Sequence, residues 1–272
     1  MESHFEDRHA AGRILAGKLR AYADRTDVVI LALPRGGVPV GYEVAKALGA
    51  DLDVLIVRKL GVPGHSELAM GAIASGGAVH LNQDVIAMAR IGQHEIERVM
   101  AEEYRELERR EALYRGARPP APVEGRTVIV VDDGIATGAS MRAALKALRS
   151  RKPGKIVVAV PVAPTDAPER VRDVSDEFVA VLLPADFQAV GQFYREFGQT
   201  SDDEVRTLLA QFAASQGNAG PPQVSLSTSQ PAGRSDSAPS KLPQGSLEPR
   251  ASSPPGGGPG AARPRGRSGA VE

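Results

Sequence analysis

Five short runs of apolar residues constrain this chain most: VVILAL at 28–33, DVLIVR at 53–58, TVIVVD at 127–132, KIVVAVP at 155–161 and EFVAVLL at 177–183. None alternates apolar with polar residues. Runs of this length without alternation fit strands that are buried on both faces. The segments between them read as helices. FEDRHAAGRILAGKLRAYA, residues 5–23, places Phe5, Ile14, Leu15 and Leu19 at helical spacing, and VPVGYEVAKALGA, residues 38–50, reads as a helix ending at Gly49. Strands separated by helices imply crossover connections and a parallel sheet. The expected fold class is therefore α/β, doubly wound around a mostly parallel sheet.

Two segments interrupt this alternation. Residues 61–82, GVPGHSELAMGAIASGGAVHLN, are rich in glycine and small residues and read as a flexible hood loop with room for a short hairpin. Residues 92–115 read as a long charged helix with one modest apolar stripe of Ile96, Val99, Met100, Leu107 and Tyr114. Its charges are expected to form a solvated face, with a homodimer contact as the second option.

Composition sets the remaining bounds. The folded domain is expected over residues 1–213, because glycine, proline and serine dominate from 214 to 272 and large apolar residues almost vanish. Such a segment buries too little surface to offset its ordering entropy, so it is expected to be a disordered tail. Three arginines in its last stretch, GAARPRGRSGAVE, suit a solvated tail first and an anionic partner second. Lys and Arg (33) balance Asp and Glu (33), which gives no whole-chain attraction to nucleic acid or to a membrane. No apolar run approaches the roughly 20 residues of a spanning helix. The first residues, MESHFEDRHAAGRIL, lack a secretory pattern, so a cytoplasmic location is the expectation. With no cysteine, disulfides and thiol catalysis are excluded.

The third strand run ends on two acids and continues as DDGIATGAS, residues 132–140. In open parallel sheets, ligands bind beyond the carboxyl ends of the strands. The next helix is expected to start near Thr137–Ser140, which puts Gly134, Ile135, Ala136, Thr137, Gly138, Ala139 and Ser140 at a helix N-terminus. Free N–H groups and the helix dipole there favour an anion. Glycines 134 and 138 allow close approach, and Thr137 and Ser140 add hydroxyls. The carboxylates of Asp132 and Asp133 would repel a phosphate but suit a neighbouring diol. An anion site beside a diol site describes a ribose 5-phosphate. Taken singly, Asp133 and Thr137 are equally good turn and cap residues; the combination is what points to a ligand.

VIVVDDGIATGAS resembles the phosphoribosyl-pyrophosphate-binding signature of type I phosphoribosyltransferases. The opening FEDRHAAGRILAGKL, the LPRGGVPVG stretch and RKLGVPGHSELAMGAI extend the likeness over residues 5–211, to a bacterial group of unassigned substrate. The resemblance implies an enzyme of nucleotide metabolism that transfers a 5-phosphoribosyl group from phosphoribosyl pyrophosphate to a nucleobase or similar nitrogen acceptor. Mg2+ would be held mainly by the substrate. It implies that LPRGGVPVG is a pyrophosphate loop with Arg35, Gly36 and Gly37 as binding groups, and a strained peptide at Pro34–Arg35, cis being one such form. Arg58 and Lys59, expected at a strand's carboxyl end, would join Arg35 on the pyrophosphate. Residues 61–82 take the place of the mobile catalytic loop, where Glu67 and His65 are the ionisable groups. In LLPADFQAVGQFYREFGQ, residues 182–199, Phe187 and Val190 match a base-binding segment, with Gly191, Phe193 and Tyr194 alongside. Two other functions share this pocket: a non-catalytic sensor of phosphoribosyl pyrophosphate, and a ribosyl phosphorylase or hydrolase.

Overall fold

The computed structural model describes residues 4–217, apart from the side chains of 66, 67, 216 and 217. In chain order its elements are α1 (Arg8–Lys18), β1 (Val28–Ala32), α2 (Gly37–Leu48), β2 (Asp51–Val54), β3 (Val57–Val62), β4 (His65–Ala74), β5 (Ala78–Leu81) and α3 (Gln83–Met88). They continue with α4 (Gln93–Arg115), β6 (Thr127–Val131), α5 (Ala139–Arg149), β7 (Lys155–Val162), α6 (Ala167–Val171), β8 (Glu177–Leu182) and α7 (Asp202–Gly217). Helix α7 crosses the compositional boundary placed at 213, so the folded part runs further than composition suggested. The tail expected beyond it lies, from 218 on, outside the described residues.

The main sheet has the order β2-β1-β6-β7-β8, and every pairing in it is parallel. Successive residues of a strand face opposite sides, and both sides here are covered. Val28, Ile30, Ile129, Val131, Val157 and Ala159 pack with Leu15 of α1 and Leu19 just after it, Val40, Val44 and Leu48 of α2, and Phe212 of α7. Their neighbours Val29, Leu31, Val128, Val130, Ile156 and Val158 pack with Met141, Leu145 and Leu148 of α5 and Val171 of α6. That two-sided burial is why the strands read as unbroken apolar runs. Each fully buried Val, Ile or Leu contributes about 1.5–3 kcal/mol.

The run at 53–58 is not one strand. The Leu55 N–H still donates to Ala32 in the main sheet, at 2.9 Å. The Ile56 N–H instead donates to the Ser75 hydroxyl, and Ile56 accepts from the Ser75 N–H, both at 2.9 Å. The chain therefore leaves one sheet and enters another between two fully apolar residues, and composition carries no mark of the break. The second sheet is antiparallel, in the order β3-β4-β5, and takes up most of residues 61–82. The small residues there serve close strand packing rather than looseness: a Cβ on Gly71 would lie 2.4 Å from the carbonyl oxygen of His80. One face of this sheet, through Leu60, Met70 and Ile73, packs on α4 residues Ile96, Leu107 and Tyr114 and on Val205 and Leu209 of α7.

The solvated face expected of α4 has an exception at its end. Arg115 is buried, and its guanidinium donates to Asp53 at 3.0 and 3.2 Å, to Glu111 at 2.9 Å and to the Val54 carbonyl at 3.1 Å. Asp53 also accepts from the N–H groups of Val54 and Ala121, both at 2.8 Å. This network ties the end of α4 to the edge strand β2. Breaking a buried pair from one side leaves a charge without its partner, which costs about 3–5 kcal/mol. Arg115→Met is expected to cost about 3 kcal/mol, since Asp53 keeps two backbone donors. Urea denaturation checks this; an unchanged midpoint would show that the pair contributes nothing to holding α4 in place.

Candidate functional site

The strand order reverses at β1. The chain steps outward from β1 to β2, then returns to place β6 on the other side of β1. Ligands of open α/β sheets bind at such a switch point, beyond the carboxyl ends of the strands. Two loops meet there: Leu33–Gly37 after β1, and Asp132–Ser140 after β6. Register aligns them, because Ala32 is opposite Val131 and the Leu33 N–H donates to the Val131 carbonyl at 2.8 Å.

The first loop contains a cis peptide between Pro34 and Arg35 and then opens α2, with Gly36 at the N-cap position. Its glycines are required by the second loop. A Cβ on Gly36 would fall 2.1 Å from Oδ2 of Asp133, and one on Gly37 would fall 2.7 Å from the Val131 oxygen and 2.9 Å from Cα of Asp132. The second loop ends at Gly138, whose φ of 77° is a left-handed conformation that favours glycine. The N–H groups of Ala136, Thr137 and Gly138 meet no acceptor among the described residues, while that of Ile135 donates to Val162 at 3.0 Å. Thr137 and Ser140 are exposed at the mouth of α5. The amphipathic α5 behind them buries Met141, Ala144, Leu145 and Leu148, which fixes this N-terminus against the sheet.

The two acids differ in their partners. Asp133 is bound by the Arg8 Nε at 2.8 Å. Arg8, in the first turn of α1, also donates to the Gly198 carbonyl at 2.6 Å and lies 4.0 Å over the Phe197 ring. Asp132 accepts from the Asp133 N–H at 2.9 Å. Burial, and then the charge of Asp133, push the Asp132 carboxyl well above its ordinary range. Burial also raises Asp133, against the pull of Arg8. The Tyr194 hydroxyl donates to the Asp133 carbonyl at 2.6 Å, and burial raises its pKa.

Two cavities open beside these loops. One, of about 210 Å3, is lined by Leu33, Pro34, Arg110, Tyr114, Asp132 and Ser140, among others. The other, of about 240 Å3, is lined by Pro34, Arg35, Arg109, Arg110, Tyr114 and Asp202. Arg110 and Tyr114 of α4 thus wall both. The Tyr114 hydroxyl donates to Asp202 at 2.5 Å, and burial first, then Asp202, push its pKa up to about 12. Arg35 is 3.9 Å from the same carboxylate.

The structure therefore brings Asp132, Asp133, residues 134–140 and the turn Arg35–Gly37 together. It does not bring Arg58 and Lys59 to them. Both were expected at a strand's carboxyl end, but they sit inside β3 of the second sheet. As strand neighbours they face opposite ways. Arg58 is paired with Glu103 of α4 at 2.6 Å, and Lys59 faces α5 residues Arg142 and Lys146 across a separate cavity. Glu67 lies on β4, and its side chain is outside the described ones; His65 is exposed at the start of the same strand. Segment 182–199 does reach the acid loop: a Cβ on Gly134 would meet Val190 at 2.5 Å. Phe187 stacks on Phe193 at 5.8 Å, within a cluster that includes Phe5 and Tyr194. Gly191 sits against Phe197.

Sequence reasoning missed Arg8, Arg110 and Asp202. Arg8 stands in a stretch read for its helical spacing and its likeness, and nothing local marks an arginine in the first turn of a helix as the partner of an acid 125 residues away. Among the described residues no group of three or more His, Asp or Glu side chains is placed to hold a metal ion. No described helix is long and apolar enough to cross a membrane.

Residues 4–195 match the family model of the phosphoribosyl transferase domain. The chain belongs to that family. It is 48% identical, over 205 residues, to a protein of Mycobacterium tuberculosis (strain H37Rv) provisionally named a phosphoribosyl transferase, and the match covers 75% of this chain and 46% of that protein. This phosphoribosyl transferase family member thus spans under half the length of the curated relatives it matches. The crystal structure of TT1426 from Thermus thermophilus matches it at a TM-score of 0.69 and 43% identity, over 77% of this chain and 99% of that one.

The electrostatics of the acid pair give a test. A carboxyl with a raised folded-state pKa binds more protons folded than unfolded, so stability falls as pH rises through that range. Asp132→Asn is therefore expected to melt above the wild type near pH 8 and to lose that advantage toward about pH 4, the ordinary carboxylate range. Thermal unfolding across this interval checks it; a wild type as stable as the variant near pH 8 would contradict the strain assigned to the pair.

Proposed function

We propose that this domain transfers a 5-phosphoribosyl group from phosphoribosyl pyrophosphate to a nitrogen acceptor of the nucleobase kind, releasing pyrophosphate. The observation that supports it best is the contact between the two loops at the switch point. An acid pair, followed by a helix start with unpaired amides, stands directly against a glycine turn bearing Arg35. A ribose 5-phosphate has one anionic end and one diol, and a pyrophosphate at its C1′ projects further. In this reading the N–H groups of 136–138 and the hydroxyls of Thr137 and Ser140 take the 5-phosphate. Asp132 and Asp133 accept from the ribose hydroxyls. Arg35 and the Gly36–Gly37 turn take the pyrophosphate, with Arg110 of α4 on the facing wall.

The reaction needs little covalent help from the protein. The C1′–O bond breaks with its electron pair leaving on pyrophosphate, and the acceptor nitrogen's lone pair forms the new C1′–N bond. An acceptor N–H proton is then lost to solvent. The site supplies positioning and charge. Arg35 and Arg110 face the oxygens on which negative charge grows, and the carboxylates face the ring that becomes electron-poor. Asp132 and Asp133 offer hard oxygen donors near the cleft, which suits Mg2+ carried mainly on substrate oxygens and water. When bound, the ion would neutralise phosphate charge.

One observation favours a second reading, a sensor that binds phosphoribosyl pyrophosphate without turnover. Residues 61–82, in the place of the mobile loop, lie mostly in an antiparallel sheet, with a bulge near Gly61. Calorimetry of the full chain tests both. Magnesium-dependent binding of phosphoribosyl pyrophosphate in the micromolar range is expected. Asp133→Asn is expected to weaken it by about 10-fold or more, as for a lost hydrogen bond to a charged group. A folded protein that binds none would end this assignment. Binding without pyrophosphate release across a panel of purine and pyrimidine bases would select the sensor.

A further inference from the structure

A third cavity lies between α5 and the small sheet, and of the two loops it reaches only Ala139. Its volume is about 300 Å3, and it is lined by Lys59, Ala69, Gly71, Ala72, His80, Asn82, Ala139, Arg142, Ala143 and Lys146. Its shape follows from register. Lys59 pairs with Ala72, and Ala72 pairs with His80, so the three form one row across the small sheet. The middle position holds only a methyl group, which leaves a hollow between a lysine and an imidazole. Helix α5 covers the hollow with two matching i,i+4 rows, Ala139 with Ala143 and Arg142 with Lys146. Small residues line the centre, and basic groups stand on both sides.

The charges there are unbalanced. Arg142 is answered by Asp173, at 2.5 and 2.8 Å. Among the described residues, Lys59 and Lys146 have no ion pair and no acid lines the cavity. Two like charges facing one hollow repel, and an anion between them reverses the sign of that interaction. Two neutral donors complete the set. His80 is held below its ordinary pKa, by burial first and then by Lys146, so near neutral pH its ring keeps one N–H and one acceptor nitrogen. Asn82 uses its side-chain oxygen to cap α3 at Val85, at 3.3 Å, which leaves its NH2 as a donor.

We propose that this cavity is a second anion site, taking a compact phosphate-class polyanion between Lys59 and Lys146. It is separate from the cleft at the switch point and does not rest on the function proposed for that cleft. The two sites share α5: Ala139, the helix's first residue, lines this cavity, and the loop before it carries the unpaired amides.

The test is calorimetric titration of the full chain with inorganic pyrophosphate and, separately, ribose 5-phosphate, without magnesium. Lys146→Gln removes a charge that has no ion pair among the described residues and acts on Asp173 only as a minor influence behind Arg142. Ala143→Leu fills the hollow and leaves every charge in place. Arg35→Gln reports on the switch-point cleft. A class of sites that both Lys146→Gln and Ala143→Leu weaken by about 10-fold or more, and that Arg35→Gln leaves intact, is the expected result, as for a lost charge-assisted contact. If pyrophosphate alone shows that class, the ligand is a free diphosphate; if ribose 5-phosphate does, it is a phosphate monoester. Isotherms unchanged by Lys146→Gln would overturn the proposal. So would a loss in Lys146→Gln that Ala143→Leu does not share, since that pattern marks diffuse surface charge rather than a built site.

Discussion

The structure turns on one contact, the pressing together of the loops after β1 and β6. Parallel pairing of the two strands brings both loops to the same height, and nothing larger than hydrogen fits at Gly36 or Gly37. A methyl at Gly36 would overlap the carboxylate of Asp133, and one at Gly37 would overlap the backbone of Val131 and Asp132. The glycines thus have two consequences at once. They expose backbone donors on the side of the cleft, and they let an acid pair and a cationic turn share a wall. Separation of the loops by one extra methylene would divide a single ligand's charge groups between two unconnected places.

Such closeness raises an electrostatic problem that the fold answers from outside the cleft. Burial pushes both adjacent carboxyls toward the protonated form, and the charge of Asp133 pushes Asp132 further. Arg8 offsets this for Asp133 but bonds only that acid. Arg8 is itself held by the Gly198 carbonyl and the Phe197 ring, so the segment after β8 and the first turn of α1 jointly set the state of the pair. The N-terminal residues reinforce the link: Phe5 and Tyr194 are bridged in parallel, and the Phe5 N–H donates to Phe193 at 2.7 Å. The site's acidity therefore depends on elements nearly the whole folded length apart. In the function proposed above, a ligand's hydroxyls would supply the donors that Asp132 lacks.

The parallel sheet was legible because burial on both faces erases alternation, and the place of the 132–140 loop between a strand and a helix was legible because the apolar run stops at two acids followed by small and hydroxyl residues. The run at 53–58 was not, and its failure is instructive. Leu55 and Ile56 are buried in different sheets, and a change of sheet between two apolar residues leaves no polar mark. Reading the run as one strand also moved Arg58 and Lys59 to a sheet end they do not occupy. Glycines at 61, 64, 71, 76 and 77 suggested looseness, yet Gly71 is required by close strand packing. Composition reports which residues are small, but only register tells whether smallness means freedom or crowding.

The same alternation that removes Arg58 and Lys59 from the cleft gives the second sheet its two distinct faces. Arg58 is directed at α4, where Glu103 answers it, and the face it shares is closed by apolar contacts to α4 and α7. Lys59 is directed at α5, where its neighbours across the strands are an alanine and a histidine, and among the described residues no acid answers it. An RK pair on a loop would act as one doubly charged patch. On a strand it becomes two single charges with opposite fates, one used in packing and one left open. Helix α5 borders both places: its N-terminus follows the acid loop, and its side toward the small sheet, through Arg142, Ala143 and Lys146, lines the basic hollow. The helix is anchored to the main sheet through Met141, Leu145 and Leu148, so neither side can shift without disturbing the core between them.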